Sequence, residues 1–353
     1  MEVENDRVAE KNYLDLLDMS TELGEEEDNQ LFQWVRPIHL DDEVGNPDPR
    51  IAAHAREFGV NVEHSGGDIL MLGDKPHQSL TNLSKTYGPV MSLKLGSIST
   101  IVISSPETAK EVLHRNDQAF SGREVLIPCF TIYYIRIGVS NGQAGPTALY
   151  DQDLFLAGTD TTSDTIEWAM AELLHNPEKM VKAQRELQEV LGKDGIVQES
   201  DISKLPYLQA IVKETFRLHP LAPLLVPYKA ETDVKICGFT VPKNSQVLIN
   251  AWDIGCDPSV WSNPNAFMPE RFLGCDIDVK GRDFELIPFG AGRRICLALP
   301  LAHRMVHLIL VSLLHSYAWK LDDGMKPEDM DMNEKLGFTL QKAQPLRAIP
   351  IEV

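Results

Sequence analysis

Apolar positions in the second half of the chain recur with helical spacing. In "PYLQAIVKETFRLHP" Leu208, Ile211, Val212, Thr215 and Phe216 share one face, and the pattern stops before Pro220. "DLFLAGTDTTSDTIEWAMAELLHN" reads as a helix running to Pro177, and "PEKMVKAQRELQEVLG" as a second one from Pro177 to a Gly192 cap. A last apolar helix is expected over about Leu299–Tyr317. Strand alternation appears in "PVMSLKLGSISTIVISS", as two strands around Gly96, and in short pieces of "DVKICGFTVPKNSQVLINAW". "HQSLTNLSKTYG" predicts a short helix ended by Gly88, Pro106 opens another in "PETAKEVLHRN", and "KLGFTLQKAQPLRAIPIEV" reads as a terminal hairpin. The expected class is mainly α with small β-sheets.

The same pattern divides the chain. Residues 1–70 are acidic and irregular and match no fold; 71–353 form one main domain. Within it, 71–123 is a β/helix part, 124–150 a β-rich unplaced segment, and 151–353 a helical core with its hairpin. The 353 residues, 43% of them hydrophobic, can bury a sizeable core.

Charge excludes one class of partner. The net charge is −19, and residues 1–48 hold 15 Asp/Glu against three Lys/Arg. A nucleic-acid binder needs a basic footprint, so none is expected. The start "MEVENDRVAE" resembles neither a signal peptide nor an anchor. The longest apolar run, Val306 to Leu314, is broken by His307 and Ser312 and falls short of the roughly 20 residues of a spanning helix. As written, the chain reads as cytoplasmic with no membrane-spanning segment.

Five cysteines, at 129, 237, 256, 275 and 296, form no CxxC pair. Cys296 stands apart. It follows Gly290, Gly292, Arg293 and Arg294 in "FGAGRRICLALP", just before a helix, and cations and helix starts favour thiolate. The glycines leave room for a flat ligand to approach the backbone. An inert core cysteine beside a turn fits these local cues equally well.

Two further clusters carry chemistry. Glu214 and Arg217 in "KETFR" sit at i, i+3, a spacing usual for surface pairs, and "MPERF" adds Arg271 just before the cysteine loop. A buried Glu with two Arg partners would lock that loop to a helix. In "AGTDTT" Gly158 and the threonines are poor helix formers, which suggests a local opening, with Asp160 and Thr161 placed for proton relay. Asp160 as the N-cap of a helix starting at Thr161 reads equally well. His303 and His307 have metal-binding spacing but no obvious third ligand, so a zinc reading ranks lowest. His219, before Pro220, reads as a helix-end cap.

"AGTDTT", "KETFR", "PERF" and "FGAGRRIC", in this order, resemble the cytochrome P450 haem-thiolate monooxygenases. The wording is similar to the plant terpenoid and alkaloid hydroxylases that include geraniol 8-hydroxylase, over about 72–123 and 151–353. The resemblance implies haem b (iron protoporphyrin IX) held by Cys296, a propionate contact from Arg294, and Phe289 packed beside the sulfur. It implies that Gly290 and Gly292 lie against the haem, that Ala157 and Gly158 make room for dioxygen, and that Asp160 and Thr161 deliver protons. It further implies a structural triad of Glu214, Arg217 and Arg271, and a pocket lined by Leu224, Leu225, Val226, Phe338 and Thr339. NADPH-cytochrome P450 reductase would supply electrons, docking around Arg293 and Arg304, at the endoplasmic reticulum membrane surface where the family lives.

Departures from the family pattern are also legible. Between Arg123 and Asp151 the chain is abridged where the family carries its distal helices, so the P450 fold is expected to be incomplete. Tyr228 and Cys256 stand where arginines are usual, and Ala298 where glycine is usual. The rival reading is a non-catalytic remnant or faulty gene model, at most a haem- or partner-binding fragment.

Overall fold

A computed structural model describes residues 72–95, 98–123, 146–193 and 195–352, within the compact unit Asp48–Val353. The readings made for residues 1–70 and for the β-rich stretch up to residue 145 lie outside the described residues.

Proline opens most of the helices. It stands in the first turn of α1 (Pro76–Tyr87), α2 (Pro106–Lys110), α4 (Pro177–Leu191) and α5 (Pro206–Leu218). Its missing N–H costs nothing there and its fixed φ suits the helix. Gly88 and Gly192 end α1 and α4 at positive φ. α2 is capped by Ser105 and runs on as a π-helical turn, Glu111–Arg115.

The long helix α3 spans Pro146–His175 and passes through Ala157–Thr162 without a break. This corrects one sequence reading of that stretch, since Asp160 caps no helix start; the helix runs on through Gly158, and the Thr161 and Thr162 hydroxyls bond back to its carbonyls. Alternation gives β1 (Val90–Leu95) and β2 (Ile98–Ile103) as an antiparallel pair. They join β6 (Gln246–Ile249), parallel to β2, and β3 (Tyr228–Lys229) in a sheet of order β1-β2-β6-β3. β4 (Val234–Ile236) and β5 (Phe239–Val241) form a separate hairpin. The short α6 (Ala251–Gly255) follows β6, and α7 (Leu299–Ser316) follows the cysteine loop.

The C-terminus departs from the expected single hairpin. β8 (Glu334–Leu336) and β9 (Leu340–Lys342) do pair, but β10 (Ala348–Glu352) returns to β7 (Tyr317–Leu321), directly after α7. Register across some 30 residues is a tertiary property that local pattern does not encode.

The main core lies between α3, α4, α5 and α7, which pack on one another. Leu173, Leu208, Ile211 and Leu310 are fully buried there, each worth about 1.5–3 kcal/mol of transfer free energy. By length and composition α7 is just apolar enough to cross a membrane, yet its Val306, Leu310, Val311 and Leu314 are buried against this core. The result is mostly helical with small sheets, as the pattern predicted.

Candidate active site around Cys296

Cys296 is exposed, on the turn that leads into α7. Its backbone N–H donates to the Phe289 carbonyl at 3.0 Å, and its own carbonyl accepts from Leu299 N–H at 3.3 Å. Phe289 in turn meets Phe216 of α5 edge-on, ring centroids 5.1 Å apart. The loop is thus closed on itself and seated on α5.

Gly290 and Gly292 both have positive φ, 72° and 65°. A Cβ on Gly292 would lie 1.9 Å from the Leu113 carbonyl oxygen, which no relaxation of a side chain could relieve. Within the protein, the close approach that Gly292 permits is to the Leu113 backbone. At Gly290 the nearest atom to such a Cβ would be the Tyr228 hydroxyl, at 3.4 Å.

The two arginines continue the same stitching. Arg293 donates to Asp117 at 3.0 Å, and Arg294 donates through Nε (2.8 Å) and Nη2 to the Ser121 carbonyl. Their guanidinium groups thereby tie the loop to the segment after α2. Arg304 pairs with Glu199 at 3.0 Å. Such exposed pairs contribute little stability.

Glu214, Arg217 and Arg271 come together. Glu214 is fully buried and accepts from Arg217 Nε (2.7 Å) and Nη2 (2.8 Å), Arg271 Nε (3.0 Å) and Met268 N–H (2.7 Å). Arg217 also donates to the carbonyls of Gly255 and Pro264, and Arg271 to that of Ser262. The arrangement fastens α5 to the 262–271 segment ahead of the cysteine loop.

On α3, the Thr161 hydroxyl donates to the Ala157 carbonyl and that of Thr162 to Gly158, both at 2.7 Å. Asp160 is half-buried, and desolvation pushes its carboxyl above the ordinary range. Gly158 faces open space, with nothing within 4 Å of the Cβ it lacks. α7, starting three residues after Cys296, packs against α3.

The proposed lining residues fall on two loops. Leu224 and Leu225 are half-buried and Val226 exposed; Leu225 has φ 50° and approaches the Gly290 site. Arg123 binds the Val226 and Pro227 carbonyls and lies over the Tyr228 ring, 4.2 Å from its centroid. Phe338 is 56% exposed, while its neighbour Thr339 is buried and donates to Asp164 of α3.

Several contributors escaped the sequence reading. Asp164 is one, and burial raises its carboxyl to about 6. Gly281 is another: a Cβ there would press within 2.9 Å of Ile295 beneath the cysteine loop. His219 stands at the C-terminal cap of α5, but its ring stacks on Trp168 at 3.8 Å and bonds Glu172 at 2.7 Å. Asp164 and Gly281 had no local signal, since each depends on a distant partner; for His219 the cap was legible from Pro220 and only the ring's partners were not. His303 and His307 are in ring contact, and among the described residues no group of three His, Cys, Asp or Glu could hold a metal. Cys256, half-buried after α6, has its thiol pushed up to about 12 by burial.

The sequence model of the family described as Cytochrome P450 matches residues 66–144 and 151–346. Cytochrome P450 76T24 of Catharanthus roseus is 38% identical over 455 positions, taking in 81% of this chain and 91% of that protein. Geraniol 8-hydroxylase of the same plant is 37% identical over 450 positions, 80% of this chain and 91% of that protein. Both alignments are longer than the 353 residues here, so the relatives carry stretches with no counterpart in this chain. Over a shorter span of 200 residues, cytochrome P450 76C4 of Arabidopsis thaliana is 66% identical, covering 57% of this chain and 39% of that protein. A solved structure of a zebra fish cytochrome P450 with abiraterone superposes with a TM-score of 0.67 at 23% identity, over 78% of this chain and 100% of that one. That likeness is one of fold.

Proposed function

The chain belongs to the cytochrome P450 family of monooxygenases, and we propose that it hydroxylates a small apolar metabolite of terpenoid- or alkaloid-like character. One observation carries this reading: 80% of the chain aligns with a geraniol 8-hydroxylase, and the family's sequence model matches across the loop that presents Cys296.

The residues present suit a haem. The exposed Cys296 thiol is the right donor for one axial position on iron, and a glycine-bearing loop that packs against Leu113 and Phe216 holds it. Leu297 beside it is 95% exposed, with Leu301 and Met305 exposed on the first turns of α7, apolar surface of the kind a planar hydrophobic group covers. Cys296 would be the thiolate ligand and Arg294 the propionate contact. When bound, haem-thiolate chemistry supplies the activation of dioxygen.

The chain's own residues would do the rest. Asp160 and Thr161 would pass protons, with the Thr161 hydroxyl already oriented by Ala157. Leu225, Val226 and Phe338 would offer apolar contact to the substrate. The overall change is RH + O2 + NADPH + H+ to ROH + H2O + NADP+. NADPH-cytochrome P450 reductase would deliver the electrons, at the endoplasmic reticulum surface.

One observation favours a second reading, a non-catalytic remnant: the long gaps against full-length relatives, since an uncovered site leaves reactive oxygen species open to water. Incubation of the purified chain with reductase, NADPH, geraniol and isotopically labelled dioxygen separates the two. Hydroxylated product carrying one labelled oxygen supports the monooxygenase. NADPH consumed to peroxide with no organic product would leave the remnant.

A further inference from the structure

The turn between β8 and β9 is held by three ties. Leu340 N–H donates to the Leu221 carbonyl at 2.9 Å, and Trp168 Nε1 of α3 donates to the Leu340 carbonyl at 3.0 Å. The third is Asp164 of α3, whose Oδ2 accepts from the Thr339 hydroxyl at 2.5 Å and from Gln341 Nε2 at 3.4 Å. A two-stranded hairpin is marginal by itself in water, so such anchors decide where it stands. Thr339, drawn down onto the helix, is 3% exposed, and Phe338 beside it 56%.

Position on α3 gives this tie its consequence. Asp164 lies at i+4 from Asp160 and i+3 from Thr161, so the three share one helix face. The turn's other end rests on Leu221, which leads into Leu224–Val226. One carboxylate therefore spans the helix that carries the proton-handling pair and the loop that carries Phe338.

We propose that Asp164 is a positioning residue: by binding Thr339 it sets where Phe338 stands, and so which carbon of an apolar substrate is presented for hydroxylation. This rests on the monooxygenase reading above. Glu167, one turn further on, accepts from Leu346 N–H at 2.6 Å, so the segment between β9 and β10 is held independently.

The test uses the full chain with Asp164→Ala, Asp164→Asn, Thr339→Val and the double variant Asp164→Ala/Thr339→Val. Amide hydrogen exchange over residues 337–341 needs no haem. Losing a charge-assisted hydrogen bond should speed exchange there by about tenfold or more in Asp164→Ala and in Thr339→Val. The double variant should be no faster than either single one, and Asp164→Asn, which still accepts from the hydroxyl, should stay close to wild type. With haem and reductase, and geraniol as probe, Asp164→Ala should shift the ratio of hydroxylated isomers and raise KM more than it lowers kcat, with Asp164→Asn restoring both. Unchanged exchange in Asp164→Ala would overturn the anchor, and changed exchange with an unchanged isomer ratio would overturn the positioning role. A wild-type chain lacking the thiolate-type ferrous–CO band, or forming no product from geraniol, would instead overturn the underlying reading and the substrate role with it.

Discussion

Replacing Glu214 tests whether the buried ion cluster holds the cysteine loop's approach to α5. Glu214 and Arg217 are both fully buried, and among the described residues Glu214 is the one carboxylate hydrogen-bonded to Arg217 and Arg271. In Glu214→Ala the four donors on its oxygens lose their acceptor, while Arg217 keeps only carbonyl partners at Gly255, Pro264 and Ala266. An uncompensated buried charge costs about 3–5 kcal/mol. Against a total stability of roughly 5–15 kcal/mol that is a large share. Taking m for urea near the upper end of about 1–3 kcal/mol/M, the midpoint should fall by about 1–1.7 M. Trp261 is a built-in reporter, 5.6 Å from the Arg217 guanidinium and 5.9 Å from that of Arg271. Glu214→Gln, which keeps one acceptor but no charge, should fall between. The control is Glu189→Gln, since Glu189 faces Arg185 at 3.9 Å with both side chains exposed, and such a pair is worth only about 0.2–0.5 kcal/mol. If Glu214→Ala moves the midpoint no further than Glu189→Gln does, the cluster is not the lock described here.

Gly292→Ala should be worse than Gly290→Ala, because its Cβ meets the Leu113 carbonyl at 1.9 Å where that of Gly290 meets only a hydroxyl at 3.4 Å. Thermal unfolding and haem retention on gel filtration should both rank them in that order. His307 is buried with its pKa pushed down to about 4 by burial, below the 6.5 of an exposed imidazole. The unfolded chain then binds a proton that the folded one refuses, so stability is lost as pH falls from about 6.5 towards 4, by up to about 3 kcal/mol. His307→Leu should flatten that stretch of the urea-midpoint-against-pH curve. Cys237 donates to Glu111 at 2.8 Å, and burial together with this carboxylate pushes its thiol up to about 11. It should alkylate slowly at pH 8 despite its exposure, and Glu111→Gln should speed the reaction severalfold by mass-spectrometric peptide labelling.

Much of the fold was legible because its signals are local. The face Leu208, Ile211, Val212, Thr215 and Phe216 is buried throughout, and Pro177, Pro206, Gly88 and Gly192 punctuate the helices where the sequence places them. The cysteine loop and the Glu214 cluster could be listed from the chain because their residues keep fixed order and spacing. What bound them to the rest could not. Gly292 meets Leu113, Arg294 meets Ser121 and Asp164 meets Thr339 across 170 residues or more, and nothing in the local run of residues specifies such pairs. The return of β10 to β7 escaped for the same reason. At Ala157–Thr162 local propensity misled, since packing of α3 in the core outweighs about 1 kcal/mol of glycine cost.

Haem ligation by Cys296, proposed above, has a spectroscopic signature. The most direct measurement is the ferrous–CO absorption spectrum of the reconstituted wild-type chain beside that of Cys296→Ser, with iron content determined on both. Ligation through the Cys296 sulfur predicts the long-wavelength Soret band of a thiolate in the wild type and its loss in the variant. The same band in both proteins, or no such band in an iron-loaded wild type, would contradict it.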